Sequence, residues 1–205
     1  MTPNNRIRWI AKPAVWVLCL APLGVLVWRI VNQDLTANPA EFMNRYLGEW
    51  ALRILWLALA VTPLRIITSW NQAIRFRRLL GLFAFFYVTL HVSSYVVADQ
   101  YFDWLAIWND IIKRTYITLG MGALVILVAL ALTSWGAMVK RLGGKNWIRL
   151  HRGVYIAGVC AAIHFIMMRK GFQIEPLIYA GILAALLATR LGPILKKRQA
   201  QKLRT

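Results

Sequence analysis

The twenty residues LLGLFAFFYVTLHVSSYVVA, which run from Leu79 to Ala98, contain no charged side chain. A helix rises about 1.5 Å per residue, so this segment covers about 30 Å, the thickness of the hydrocarbon core of a bilayer. The segment therefore predicts a transmembrane helix. It also places one ionisable group, His91, inside the predicted span. Ionisable side chains are costly within a membrane, so His91 is a candidate functional residue.

Five further runs resemble this segment in length and apolar character, and they are Ala14–Val31, Trp50–Ile67, Tyr116–Trp135, Leu150–Met168 and Ile174–Leu191. Together the six runs predict an all-α integral membrane protein, a six-helix bundle that forms a single membrane domain over residues 1–205. No internal repeat is recognisable. The first run follows basic residues, as in a signal peptide, but no clear cleavage site follows it. We therefore expect that this run is not cleaved off and forms the first transmembrane helix.

The composition also favours a membrane protein, because 60% of the residues are hydrophobic and only 16% are charged. A net charge of +18 is compatible with nucleic-acid binding. Apolar runs of membrane length separate the basic clusters, however, so we expect no nucleic-acid partner. Cys19 and Cys160 each lie in an apolar run and neither belongs to a CxxC motif. A disulfide framework or an iron–sulfur site is therefore not expected.

Charged residues divide between the two sides of the predicted bundle. One side carries only basic residues, namely Arg6, Arg8, Lys12, Arg65, Arg75, Arg77, Arg78, Lys140, Arg141, Lys145, Arg149, Arg152, Arg190, Lys196, Lys197, Arg198, Lys202 and Arg204. The other side carries all seven acidic residues, namely Asp34, Glu41, Glu49, Asp99, Asp103, Asp110 and Glu175. The positive-inside rule makes the basic side cytoplasmic, so both termini are predicted to lie in the cytoplasm of a bacterial cell, beneath its inner membrane.

Two of the three histidines lie at one predicted depth. His91 is roughly 18 Å along the third helix from its cytoplasmic end, and His164 is roughly 21 Å along the fifth. Two imidazoles at one level on different helices can clamp a flat metal cofactor from both faces, as a haem with two axial histidines requires. Two histidines without carboxylates or thiolates make a poor zinc or non-haem iron site. We therefore predict that His91 and His164 are axial ligands of haem iron.

The residues around the two histidines allow two interpretations. On the fifth helix, small side chains share the face of His164, and they are Gly153, Ala157, Cys160 and Ala161. They would leave room for a porphyrin, but they are also typical of close helix packing in membranes. On the third helix, Ala84, Tyr87, Ser94 and Tyr95 share the face of His91. The tyrosines fit a role beside the ring or its propionates, and they fit ordinary packing equally.

The third histidine, His151, is predicted at the cytoplasmic end of the fifth helix, roughly 20 Å before His164. The third helix has Arg77 and Arg78, not a histidine, at that level. His151 could ligate a second haem with an unusual partner, contact a quinone or flavin, or cap the membrane interface. The basic cytoplasmic loops could bind phosphate, and they equally serve to orient the chain and attract anionic lipid.

Several blocks of the sequence resemble the MsrQ (YedZ) family of membrane haem subunits. They are Thr62-Pro63-Leu64, Arg77-Arg78-Leu79-Leu80-Gly81-Leu82, Thr89-Leu90-His91, Ser94-Tyr95, Leu150-His151 with Tyr155 and His164, and Pro176-Leu177-Ile178-Tyr179-Ala180-Gly181. The resemblance covers nearly the whole chain. It implies a ferric-reductase-like transmembrane fold that binds one or two b-type haems, with His91, His151 and His164 at the family's histidine positions. FMN is also attributed to the family.

The same resemblance implies a function in electron transfer. A subunit of this kind passes electrons across the inner membrane to MsrP, a periplasmic molybdenum-dependent reductase that repairs methionine sulfoxide in proteins. The donor is the quinone pool or a flavin reductase. The larger ferric-reductase relatives carry a second histidine on the third helix and a soluble flavin–nicotinamide domain, and this sequence has neither. An external electron donor is therefore expected.

We accordingly predict an electron-transfer subunit whose partner performs the substrate chemistry. The partner is expected to dock on the connections Asn32–Glu49 and Asp99–Thr115. A small transporter or channel is the alternative from another class, and it would need a polar pathway near the middle of the membrane. A non-catalytic anchor subunit is a further alternative, for which the histidines would be dispensable. A b-cytochrome spectrum separates the first prediction from the other two.

Overall fold

The computed structural model describes residues 5, 7–169 and 173–202, and this part of the chain is helical without strands. Its α-helices are α1 Lys12–Val31, α2 Pro39–Thr68, α3 Ile74–Ser94, α4 Trp104–Lys113, α5 Thr115–Leu132, α6 Gly136–Leu142, α7 Gly144–His151, α8 Gly153–Met168 and α9 Ile174–Lys202. A π-helical turn, Ile7–Ala11, precedes α1, and another, Tyr95–Asp99, extends α3. Arg6 and Arg204 of the predicted basic tails lie outside the described residues.

Two antiparallel hairpins form the centre of the bundle. In the first, α2 and α3 follow one another after a short connection, and Asn44 near the start of α2 contacts His91 near the end of α3. In the second, α5 and α8 are joined through the short helices α6 and α7, and Tyr116 at the start of α5 contacts His164 near the end of α8. The two hairpins therefore run in the same direction and present their histidines at the same end.

Five helical stretches are long and apolar enough to cross a membrane within the described residues, at Trp9–Val31, Pro39–Thr68, Asn71–Asp99, Thr115–Leu132 and Gly144–Met168, the last of which consists of α7 and α8 together. They confirm an all-α integral membrane protein. Where the sixth span was predicted, the structure has α9, whose 29 residues extend about 40 Å. The count of six spans and the cytoplasmic termini stay predictions. We call the end of the bundle that holds all seven acidic residues the acidic end, and the opposite end the basic end.

Some predicted helix boundaries were wrong, and each error has a local cause. Helix α2 begins at Pro39, not at Trp50, because the side chain of Asn38 accepts a hydrogen bond from the Glu41 amide and caps the helix. Proline is suited to the first helical position, so the polar residues that follow are helical as well. The predicted helix Leu150–Met168 is divided at Arg152, whose carbonyl accepts from the Tyr155 amide in a tighter turn.

Two other boundaries differ by a few residues. Helix α5 ends at Leu132, short of the predicted Trp135, because Thr133 and Ser134 turn their hydroxyl groups back onto carbonyls of the last helical turn. Helix α3 begins at Ile74, ahead of the predicted Leu79. The basic residues at its start interrupt the apolar run without interrupting the helix.

A tyrosine bonds to the backbone of α1 on either side of Pro22. The fully buried Tyr87 of α3 accepts a hydrogen bond from the Leu23 amide at 3.1 Å and donates one to the Cys19 carbonyl at 2.8 Å. In a regular helix these two groups would bond to each other. A lipid environment supplies no water to satisfy them, so the hydroxyl takes that role. Tyr87 is thus part of the core between the helices, which favours ordinary packing over a role beside a porphyrin ring.

An arginine fulfils the corresponding role at Pro63. Proline has no amide hydrogen, so the Leu59 carbonyl, four residues earlier in α2, has no partner within the helix. The guanidinium of Arg190 on α9 donates to that carbonyl and to the Tyr155 hydroxyl, and it lies 4.8 Å from the centroid of the Tyr155 ring. The sequence placed Arg190 among the cytoplasmic tail charges. Its head group instead reaches back into the bundle, because an unpaired carbonyl in lipid is costly.

Candidate functional site: a histidine pair between two hairpins

His91 and His164 face each other across the boundary between the two hairpins. Their ring centroids are 6.3 Å apart and the ring planes are inclined by 78°. His91 comes from α3 and His164 from α8, as the depth argument predicted. Neither ring is turned away from the other.

Each imidazole is oriented by a main-chain carbonyl of its own hairpin. The Nδ1 atom of His91 lies 2.9 Å from the Asn44 carbonyl oxygen, and Nδ1 of His164 lies 2.6 Å from the Tyr116 carbonyl oxygen. A carbonyl only accepts, so Nδ1 carries the hydrogen and Nε2 has the free lone pair. Donation from Nδ1 to a carbonyl is the usual way in which proteins orient a metal-binding histidine.

Polar contacts at the end of α3 hold Asn44, whose carbonyl accepts from His91, in place. The Asn44 side chain donates to the His91 carbonyl and to the Ser94 hydroxyl, both at 3.2 Å. Ser94 in turn donates to the His91 carbonyl at 2.8 Å. One residue of α2 thus holds both the ring and the backbone of His91.

The separation of the rings fits a single metal between them. An imidazole nitrogen lies about 2 Å from a bound metal and about 1.1 Å from its ring centroid, which gives about 6.2 Å between the centroids of two axial imidazoles. The observed 6.3 Å matches this value. No group of three or more His, Cys, Asp or Glu side chains that could hold a metal occurs in the described residues. The donor set therefore suits an iron macrocycle that supplies its own equatorial ligands.

Four of the residues predicted to share a face with His91 or His164 take part in packing or in contacts between helices. A Cβ atom on Gly153 would lie 3.3 Å from Ile126 of α5, so this glycine serves close helix packing. Ala84 and Ala157 are fully buried in the core. Tyr95 donates to Asp110 at 2.8 Å and thereby connects the end of α3 to α4. These contacts favour the packing interpretation for all four positions.

His151 lies far from the histidine pair, at the basic end. Its Nε2 atom is 3.1 Å from the Thr133 hydroxyl, and its ring stacks on Trp147 with 3.9 Å between centroids. The half-buried Arg77 lies within electrostatic range of His151 and of Arg190, whereas Arg78 is exposed. Of the predicted cytoplasmic residues, Arg77 thus lies near enough to His151 for its charge to act on the ring, without a direct contact between the two side chains being seen.

An ionic cluster at the acidic end joins three helices next to the histidine pair. Arg169, which follows α8, lies 2.8 Å from Glu49 of α2 and 3.2 Å from Glu175 of α9. Glu49 also pairs with Arg53 at 3.2 Å, and Arg53 donates to the Tyr179 hydroxyl at 2.7 Å. The sequence analysis did not foresee this cluster. Its members are distant from one another in the chain, so no local sequence pattern indicates that they are in contact.

Comparisons with known proteins agree with this architecture. Residues 47–162 match the model of the family described as ferric reductase like transmembrane component. A protein of Rhodospirillum rubrum named protein-methionine-sulfoxide reductase heme-binding subunit MsrQ is 54% identical over 191 residues, covering 93% of this chain and 92% of that protein.

Proteins with the same name from two other bacteria are also similar. The Caulobacter vibrioides protein is 44% identical over 86% of this chain and 84% of its own length. The Herminiimonas arsenicoxydans protein is 42% identical over 92% of this chain and 88% of its own length. With its apolar helices, the chain is a multi-pass protein of the bacterial inner membrane. It belongs to the MsrQ family of ferric-reductase-like transmembrane proteins.

Proposed function

We propose that this chain carries electrons across the inner membrane by means of a b-type haem that His91 and His164 hold from its two faces. The separation of 6.3 Å between their ring centroids is the observation that carries the proposal. The similar relatives are named heme-binding subunits, which supports the same cofactor here. When bound, haem supplies a one-electron carrier within the apolar bilayer.

The protein's own residues determine how the cofactor is held. The Asn44 and Tyr116 carbonyls fix both imidazoles with Nε2 available for the metal. A haem held by His91 and His164 together would supply one-electron transfer, and it would offer substrate no open position at the iron. The chain therefore serves electron transfer, and substrate chemistry belongs to a partner.

The partner we propose is a periplasmic MsrP-like reductase that repairs methionine sulfoxide in oxidised periplasmic proteins. The relatives' name, which refers to protein-methionine-sulfoxide reductase, supports this choice. The partner docks on Asn32–Glu49 and Asp99–Thr115 at the acidic end. Asn44 lies within the first segment and Tyr116 directly follows the second, so docking there brings the partner close to the histidine pair.

The electron donor approaches from the basic end, which we place in the cytoplasm together with both termini of a single six-span membrane domain. Quinol or a reduced flavin such as FMN is the proposed donor. His151 with Arg77 and Arg78 is the proposed contact for the donor or for a second cofactor at this end. The proximity of His151 and Arg77 supports such a contact, and the surrounding basic loops suit anionic lipid headgroups.

Electron transfer can be followed in the purified protein, reconstituted in lipid nanodiscs, by haem absorption. Reduction by a soluble quinol, or by reduced FMN from a flavin reductase, should produce the bands of a reduced low-spin b cytochrome. Addition of an MsrP-like partner in an amount much smaller than the haem should then reoxidise most of the haem only when a methionine-sulfoxide-containing protein is present as the terminal electron acceptor. A haem that stays reduced in the presence of both would contradict the proposed function.

A further inference from the structure

The two hydrogen bonds between a histidine and a main-chain carbonyl are formed in the same way. In an α-helix, the carbonyl of one residue faces the amide of the residue four positions later. An imidazole that approaches the Asn44 carbonyl must therefore pass over residue 48, and one that approaches the Tyr116 carbonyl must pass over residue 120. Both positions are glycine, Gly48 in α2 and Gly120 in α5.

Both imidazoles lie against these glycines. A Cβ atom built on Gly48 would be 3.1 Å from Nδ1 and from Cε1 of His91. A Cβ atom on Gly120 would be 3.0 Å from Nδ1 and 3.2 Å from Cε1 of His164. These distances are shorter than ordinary van der Waals contact, so any side chain there would displace the ring.

The same construction occurs at the same place in both hairpins. Asn44 and His91 are separated by 47 positions, and Tyr116 and His164 by 48. In each hairpin the first helix supplies a carbonyl and, one turn later, a glycine, while the second helix supplies the histidine. Other helical glycines differ, because a Cβ atom on Gly24, Gly81 or Gly122 would meet no atom within 4 Å. The two hairpins thus share one arrangement of carbonyl, glycine and histidine.

We propose that Gly48 and Gly120 are positioning residues for the two haem ligands, each leaving open the path by which an imidazole reaches its carbonyl. This inference rests on the proposed function of His91 and His164. A hydrogen bond from Nδ1 raises the basicity of the ligand nitrogen. A more basic ligand favours oxidised iron, so lengthening either bond weakens haem retention and raises the midpoint potential.

Gly48→Ala and Gly120→Ala test the proposal, with Gly122→Ala as the control on the same helix as Gly120. An added methyl group requires the ring to move by only a few tenths of an ångström, so all three variants should fold and remain monodisperse. The two test variants should bind haem about 10-fold more weakly, which is the smallest loss of affinity usual when a metal-binding histidine loses its hydrogen-bond partner. The midpoint potential of both variants should rise. Gly122→Ala should match the unsubstituted protein in both measurements.

The outcomes distinguish this inference from the proposed function. If Gly48→Ala and Gly120→Ala match the control in haem retention and potential, the positioning role is wrong even though the histidines bind haem. If His91→Ala and His164→Ala both keep their haem, the ligand assignment itself fails. Should either glycine variant not accumulate, the potential of the other remains decisive, because a role in packing alone leaves the potential unchanged.

Discussion

Replacement of either His91 or His164 by alanine is expected to remove most of the haem from the purified protein. Each imidazole comes from a different hairpin, so one substitution leaves the iron with a ligand on one face only. The remaining imidazole keeps its hydrogen bond to the main-chain carbonyl, but the second imidazole nitrogen that would bind the iron is missing. Haem per polypeptide, measured by the pyridine haemochrome method, should fall severalfold in both variants. The low-spin bands of the reduced-minus-oxidised spectrum should fall in parallel.

His151→Ala is the matched control for this prediction. Its ring nitrogen contacts the Thr133 hydroxyl at the basic end, so its removal should leave the low-spin signal of the histidine pair in place. Any loss of additional haem in this variant would assign a second cofactor to the basic end. Full haem content in both His91→Ala and His164→Ala would refute the assignment of the ligands.

The second large effect is expected at Arg169, which is tied to two carboxylates on different helices. Its side chain is only 13% exposed, and that of Glu49 is 20% exposed. Arg169→Ala would leave Glu49 largely buried with Arg53 as its remaining cation. Breaking a buried ion pair costs about 3–5 kcal/mol, and since Arg53 compensates in part we expect about 3 kcal/mol of lost stability.

Arg45→Ala provides the comparison, because Arg45 also pairs with a glutamate of α2. The Arg45–Glu41 pair is exposed at both partners, and such pairs contribute about 0–1 kcal/mol. Chemical unfolding in detergent, followed by far-ultraviolet circular dichroism, measures both variants on one scale. Equal losses of stability would show that the Arg169 cluster has no special role in joining α2, α8 and α9.

Much of this architecture follows from apolar run length. The runs around His91 and His164 gave the correct helices and the correct relative depth of the two rings, because helix rise and bilayer thickness constrain both. The same reasoning placed the start of α2 too late. Residues 39–49 are polar enough to interrupt an apolar run, yet the cap at Asn38 makes them helical.

Other parts of the site depend on the register between helices, which a single sequence does not display. The Asn44 and Tyr116 carbonyls belong to the backbone and leave no trace in the residue type. Gly48 and Gly120 acquire meaning only once α2 is aligned with α3 and α5 with α8. Arg190 was assigned to a tail by charge counting, because the Leu59 carbonyl that it satisfies lies on another helix.

The central claim is that two imidazoles from separate hairpins bind one iron between them, and electron paramagnetic resonance of the oxidised, purified protein tests it most directly. Two axial imidazoles impose the low-spin state, and planes inclined by 78° should give a strongly anisotropic signal. We expect a low-spin ferric signal of that kind, which disappears in both His91→Ala and His164→Ala. A high-spin ferric signal in the unsubstituted protein, or protein without haem from haem-replete cells, would contradict the claim.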